Sequence, residues 1–159
     1  MRIRLITASN KQPRWITDGY EHYARRLDNR CALELIEVSL ARRPASAPVE
    51  RAIEDEDSRM LRHVPAGAHI VTLECDGRSW STEQLAARLE AWRMTGAPVC
   101  LLVGGPDGLG PACSGRAAER WSLSGLTLPH GLVRVIVAEG LYRADSLLRG
   151  HPYHRGSAR

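Results

Sequence analysis

The stretch Val99-Cys100-Leu101-Leu102-Val103-Gly104-Gly105-Pro106-Asp107-Gly108-Leu109-Gly110 joins five consecutive apolar residues to a glycine-rich break. A short unbroken apolar run bounded by turn residues predicts a strand covered on both faces, the environment of a largely parallel sheet. Glycines directly after such a strand let a ligand approach the backbone, and open α/β sheets bind ligands where their strands end. The run fits neither G-x-x-x-x-G-K-[ST] nor G-x-G-x-x-G, so neither a nucleotide phosphate loop nor a dinucleotide fingerprint is supported. On these residues alone, a tight strand-to-helix turn explains the glycines as well as a ligand loop does.

Toward the N-terminus, His69 to Leu73 (HIVTL) predicts another strand, and Asp76-Gly77 a turn. Ser81-Thr82-Glu83 starts a helix through Met94, with Leu85, Leu89 and Trp92 on one stripe. Val49 to His63 predicts a charged surface helix, in which Glu54-Asp55-Glu56-Asp57 marks a solvated face without chemistry. The Pro/Ala/Ser-rich stretch before it, Arg42 to Pro48, predicts a mobile loop from Ser39 to Pro48. Cys31 to Val38 alternates as a strand, Pro13 to Leu27 carries apolar residues at helical spacing, and Arg2 to Ala8 opens the chain as a strand with one covered face.

Toward the C-terminus follow a helix with Ala112, Ala117 and Ala118, a short strand-like segment from Ser124 to Leu128, and a last helix beginning near His130. Strands alternating with helices define an α/β fold, a mostly parallel sheet with helices on both faces. The last helix is apolar on most of its circumference, through Leu132, Val133, Val135, Ile136, Val137, Ala138, Leu141 and Tyr142. A helix without a polar face must be covered on more than one side. A homodimer would supply the second cover; a central helix in a monomer's core is the alternative.

The chain has 159 residues, 43% of them apolar, which suits one domain with a core of its own. No run of about 18 uncharged apolar residues occurs, and Met1 to Asn10 lacks the layout of a signal peptide, so a cytoplasmic protein without a membrane partner is expected. Cys31, Cys75, Cys100 and Cys113 include no C-x-x-C pair, which argues against a zinc site and against disulfides. The net charge of +4 is compatible with a polyanionic partner. Of the 22 basic residues only Lys11 is a lysine, a bias that phosphate recognition or simple nucleotide composition explains.

Read together, the second half is more specific. Val71-Thr72-Leu73, Leu101 to Leu109, Trp121-Ser122-Leu123-Ser124-Gly125-Leu126-Thr127-Leu128-Pro129-His130, Val133-Arg134-Val135, Glu139-Gly140-Leu141-Tyr142-Arg143-Ala144 and His151-Pro152-Tyr153-His154 occur in this order. This closely resembles the ribosomal large-subunit RNA methyltransferase H family, SPOUT enzymes that methylate N3 of a pseudouridine in 23S rRNA. The resemblance extends back through Lys11-Gln12-Pro13-Arg14-Trp15 and Glu34-Leu35-Ile36-Glu37, nearly the whole chain. Asp145 and Gly150 depart from the family's pattern.

The resemblance implies a single SPOUT domain over 1–159, with a trefoil knot and the cofactor site in about residues 70–155. It also implies a homodimer, S-adenosylmethionine as cofactor, and the assembled 70S ribosome rather than DNA or free RNA as partner. Carried over position by position, the cofactor loops are at Leu73, at Gly104 and Gly105, and at Ser124, Gly125, Leu126, Thr127, Leu128 and Pro129. Backbone groups there can read an adenine edge while the leucines cover its faces.

The methyl donor is already electrophilic, so the protein must aim it and help remove the proton from the imide N3. Candidates are Glu139, Arg143, Tyr153 and His154, with His154 as proton acceptor and Arg143 as stabiliser of the developing anion. His151 and His154 lack a carboxylate or thiol cluster and flank Pro152, so no metal site is expected. Glu139 could equally be an ion-pair partner of Arg134 or Arg143, and His130 a cap of the last helix. Two other functions fit the same residues: a ribosome-binding assembly protein that holds the cofactor without turnover, and a SPOUT methyltransferase with another RNA target.

Overall fold

The computed structural model of the chain describes residues 1–157, with residues 154, 156 and 157 by their backbone only. Its elements are β1 (Arg2–Ala8), α1 (Arg14–Ala24), β2 (Ala32–Val38), α2 (Val49–Leu61), β3 (His69–Ser79) and α3 (Thr82–Thr95), then β4 (Val99–Val103), α4 (Pro111–Ser114), β5 (Glu119–Ser122), α5 (His130–Leu148) and a closing 3-10 helix (Pro152–Ser157). The strands form one sheet in the order β2-β1-β4-β3-β5, and every pairing is parallel. All strands therefore end at one edge. At the centre, Ile3 to Thr7 pair with Val99 to Val103, which pair in turn with His69 to Leu73.

All five residues of β4 are buried, as expected of a strand covered on both faces. On one face Leu5, Val71, Val99 and Leu101 pack with residues of α1, α3 and α5, among them Tyr20, Leu89, Trp92 and Leu141. On the other, Ile6, Ile70, Cys100 and Leu102 meet Met60 of α2 and Cys113 of α4. Each fully buried leucine of this kind contributes about 1.5–3 kcal/mol relative to an exposed one. α3 starts at a capping box, where Ser81 Oγ accepts from the Gln84 amide and the Gln84 side chain accepts from the Ser81 amide, and it ends at Gly96 with φ of 68°.

Four sequence expectations are corrected. Asp76-Gly77 is not a turn: β3 runs on to Ser79, with a register shift between Leu73 and Arg78 against Trp121 of β5. The fifth strand is Glu119–Ser122, and Ser124 to Leu128 is loop. The helix with Ala112 stops at Ser114, and the Ala118 amide donates to the Ile70 carbonyl at the start of the β5 pairing. Finally, the acidic run is solvated only in part. Glu54 is exposed, and Asp55 pairs with Arg59 of the next turn, but Glu56 and Asp57 are each only 1% exposed.

Candidate functional site

The β3 irregularity shapes a cavity at the strands' C-terminal edge. Between Leu73 and Arg78 the strand bows away from β5, and Gly77 returns it so closely that a Cβ there would lie 2.8 Å from the Trp121 carbonyl carbon. The cavity beside this bow is an open cleft of about 440 Å³, solvent at its mouth included. Leu73, Val103, Trp121, Leu128 and Val133 give it apolar walls; Glu74, Ser122, Ser124 and Thr127 supply polar groups. Leu126 also lines it, with 75% of its surface exposed. The loop over the cavity has its own order: Ser124 Oγ accepts from the Leu126 amide, and Ser122 Oγ donates to the Ser124 carbonyl.

The structure thus brings Leu73, Ser124, Leu126, Thr127 and Leu128 to one cavity. Gly125 and Pro129 belong to the same loop without lining it. Gly104 and Gly105 follow the lining residue Val103 directly and are buried. The Gly108 amide donates to the Gly105 carbonyl, Gly108 adopts φ of +82°, and a Cβ on Gly104 would sit 2.3 Å from the Gly108 carbonyl carbon. Only glycine at 104 permits so tight a ring.

Glu139, Arg143 and Tyr153 meet one another instead, on the far half of α5 and the closing 3-10 helix. Arg143 Nε donates to Glu139 Oε1 at 2.8 Å, Tyr153 Oη lies 3.2 Å from the same oxygen, and the guanidinium stands 4.9 Å from the Tyr153 ring centre. The Glu139 hydrogen bond raises the Arg143 pKa, and burial, chiefly, raises that of Tyr153. None of the three lines the cavity of its own chain. The side chain of His154, the expected proton acceptor, lies outside the described residues.

A second polar group lies next to the cavity; the sequence pointed to its member His130 as a helix cap, whereas α5 has Pro129 at its N-cap and no side-chain cap hydrogen bond. Thr7 pairs in register with Val103, and its Oγ1 lies 3.3 Å from His130 Nε2. Burial is the largest influence holding His130 below the usual imidazole pKa, and the Arg134 charge adds to it. Arg134, 4% exposed, donates to Ser9 Oγ at 3.0 Å and to Glu37 Oε2 at 3.2 Å. Sequence reasoning missed Glu74. Its Oε1 is buried with no hydrogen-bond partner, and the nearest cation, Arg120 Nε, is 3.9 Å away. Among the described residues no group of three His, Cys, Asp or Glu side chains could hold a metal ion, and no helix is long and apolar enough to cross a membrane.

The family model described as "Predicted SPOUT methyltransferase" matches residues 1–154, so the chain belongs to the SPOUT methyltransferases. Within that class its sequence likeness is to proteins named ribosomal RNA large subunit methyltransferase H. It is 54% identical to that of Azotobacter vinelandii and 52% identical to that of a Marinomonas species, in each case over 98% of this chain and 100% of the relative. Among solved structures, a probable methylase family protein from Haemophilus influenzae has a similar fold. Its TM-score is 0.55 at 14% identity, over 96% of this chain and 69% of that one.

Proposed function

We propose that this chain methylates N3 of a pseudouridine in 23S rRNA of the assembled ribosome, using S-adenosylmethionine and acting as a homodimer in the cytoplasm. The observation that carries the reading is the likeness, at over half of all positions, to large-subunit rRNA methyltransferases, in a chain whose matching loops converge on one cavity.

The cavity suits the cofactor. Its leucine and valine walls fit the faces of a purine, and Glu74 Oε1, which accepts no hydrogen bond within the chain, can accept from a ribose hydroxyl or an ammonium group. When bound, S-adenosylmethionine supplies an electrophilic methyl group. This chain's residues must then orient the pseudouridine and manage the N3 proton, which leaves as N3 gains the methyl. His154 is assigned the proton by resemblance. Arg143, kept charged by Glu139, stabilises the imide anion, and Tyr153 stays protonated as a donor.

Within one chain the Glu139, Arg143 and Tyr153 cluster is separate from the cavity lining. A homodimer in which the tail of one subunit meets the cavity of the other reconciles the two, and it would cover the exposed Trp15 and Leu126. The knot implied by the resemblance belongs to the same proposal.

The test supplies S-adenosylmethionine carrying a tritiated methyl group with 70S ribosomes, with free 23S rRNA, or with ribosomes lacking the target pseudouridine. Label on pseudouridine-containing ribosomes alone is the expected result. No incorporation into any RNA, by protein that binds the cofactor, would favour a non-catalytic assembly protein.

A further inference from the structure

The acids Glu56 and Asp57 do not serve the helix that carries them. Burying two adjacent carboxylates is costly unless their oxygens are satisfied, and here their hydrogen-bond partners lie outside α2, in the segment before it and at the start of α4. Glu56 Oε1 accepts from the Ala41 amide at 3.0 Å and from Arg43 Nη1 at 2.7 Å, while Oε2 accepts from Arg43 Nη2 at 3.2 Å. Asp57 Oδ1 accepts from the Gly110 amide at 3.0 Å, and Oδ2 from the Cys113 amide at 2.9 Å. Arg43 also donates from Nε to Asp107 Oδ2 at 2.7 Å.

The segment 105–110 is therefore gripped at three points. A Cβ on Gly105 would lie 2.8 Å from Glu56 Oε2, and one on Gly110 would lie 2.8 Å from Asp57 Oδ2, so the two carboxylates press on both ends of the loop. Arg43 holds its middle through Asp107. We propose that Glu56 and Asp57, with Arg43 as the bridge to Asp107, are positioning residues that set the shape of the Gly104–Gly110 loop for cofactor binding. This rests on the reading of that loop as part of the S-adenosylmethionine site. None of the four touches the cavity; they act through the backbone they hold.

The link most useful for a test is the outer one. Asp107 and Arg43 have side chains 39% and 26% exposed, and an ion pair so placed adds little to global stability. Breaking it should loosen the loop without unfolding the protein. The experiment compares the full-length protein with Asp107→Asn and Arg43→Lys, the latter keeping the charge while losing the fork that spans Glu56 and Asp107. Three quantities are read: the Kd for S-adenosylmethionine by calorimetry, the melting temperature, and hydrogen exchange at the amides of residues 107–110 without cofactor. Expected are a Kd raised about fivefold or more, faster exchange confined to the loop, an unchanged melting temperature in Asp107→Asn, where the buried Glu56 keeps its Arg43 partner, and partial recovery in Asp107→Glu. Unchanged exchange, or an unchanged Kd in both variants when the parent binds, overturns the clamp. A parent that does not bind S-adenosylmethionine defeats the reading of the cavity instead, while the exchange measurement still decides the clamp.

Discussion

At the scale of single residues, Gly104 and His130 behave in ways a measurement can separate. A methyl group at position 104 would collide with backbone, which cannot rotate away as a side chain can. Gly104→Ala should therefore raise the Kd for S-adenosylmethionine about tenfold or more, each decade being about 1.4 kcal/mol, with the far-ultraviolet dichroism of the fold preserved. His130 bears on pH. Its folded pKa lies below the usual imidazole value, so the unfolded chain takes up the proton first as pH falls. The stability involved is present above the unfolded pKa and is lost as pH drops through that window toward the folded value. Melting curves from about pH 8 to about pH 5.5 should fall more steeply for the parent than for His130→Gln; equal slopes would remove His130 as a cause. Some of this level was legible in the sequence and some was misread. The glycines announced themselves by following the most apolar strand. Glu56 was hidden inside a run of four acids, although its helical phase pointed inward: Ala52 and Met60, one turn to either side of it, are both buried.

Among the elements, α5 offers a test of packing. Gly140 lies in its interior, and a Cβ there would meet only Leu85 Cδ2, at 3.7 Å, an ordinary contact. Gly140→Ala should stabilise the protein by about 0.5–1 kcal/mol, read as a higher denaturation midpoint at unchanged slope. Asp145, which departs from the family pattern, is 2% exposed and pairs with Arg93 and Arg149, joining α3 to the end of α5. Because both arginines are partly exposed, Asp145→Ala should cost about 2 kcal/mol, less than the loss of a wholly buried pair; thermal melting checks it. Element boundaries were read well wherever periodicity came from a core stripe, as in β1, α3 and β4. They failed where another demand imitated that pattern. Leu126 and Leu128 alternate like a strand because they face a cavity rather than a sheet. Asp76-Gly77 has turn composition because the strand must bow and return against Trp121. Neither demand exists until β5 has docked.

For the whole molecule, the strand order β2-β1-β4-β3-β5 places neighbours that are far apart in sequence, and no local pattern could have disclosed it. The fold class was nevertheless readable, since parallel strands buried on both faces carry their own composition. Assembly is the property to measure at this level. Trp15, 63% exposed on α1, is a large apolar surface that the proposed homodimer would bury. Light scattering should give a dimer for the parent and a shift toward monomer for Trp15→Glu, with methyl transfer declining in step if each cavity needs the other subunit's tail; a monomeric parent would contradict the proposal. The shared direction of the strands also has a practical side. β1 starts at the edge away from the cavity, a strand length of about 20 Å from the glycine loop, whereas Tyr153 sits in the closing 3-10 helix against Glu139. An affinity handle or fluorophore placed ahead of β1 would leave the working edge clear, while one fused after residue 159 would load the segment that carries Tyr153.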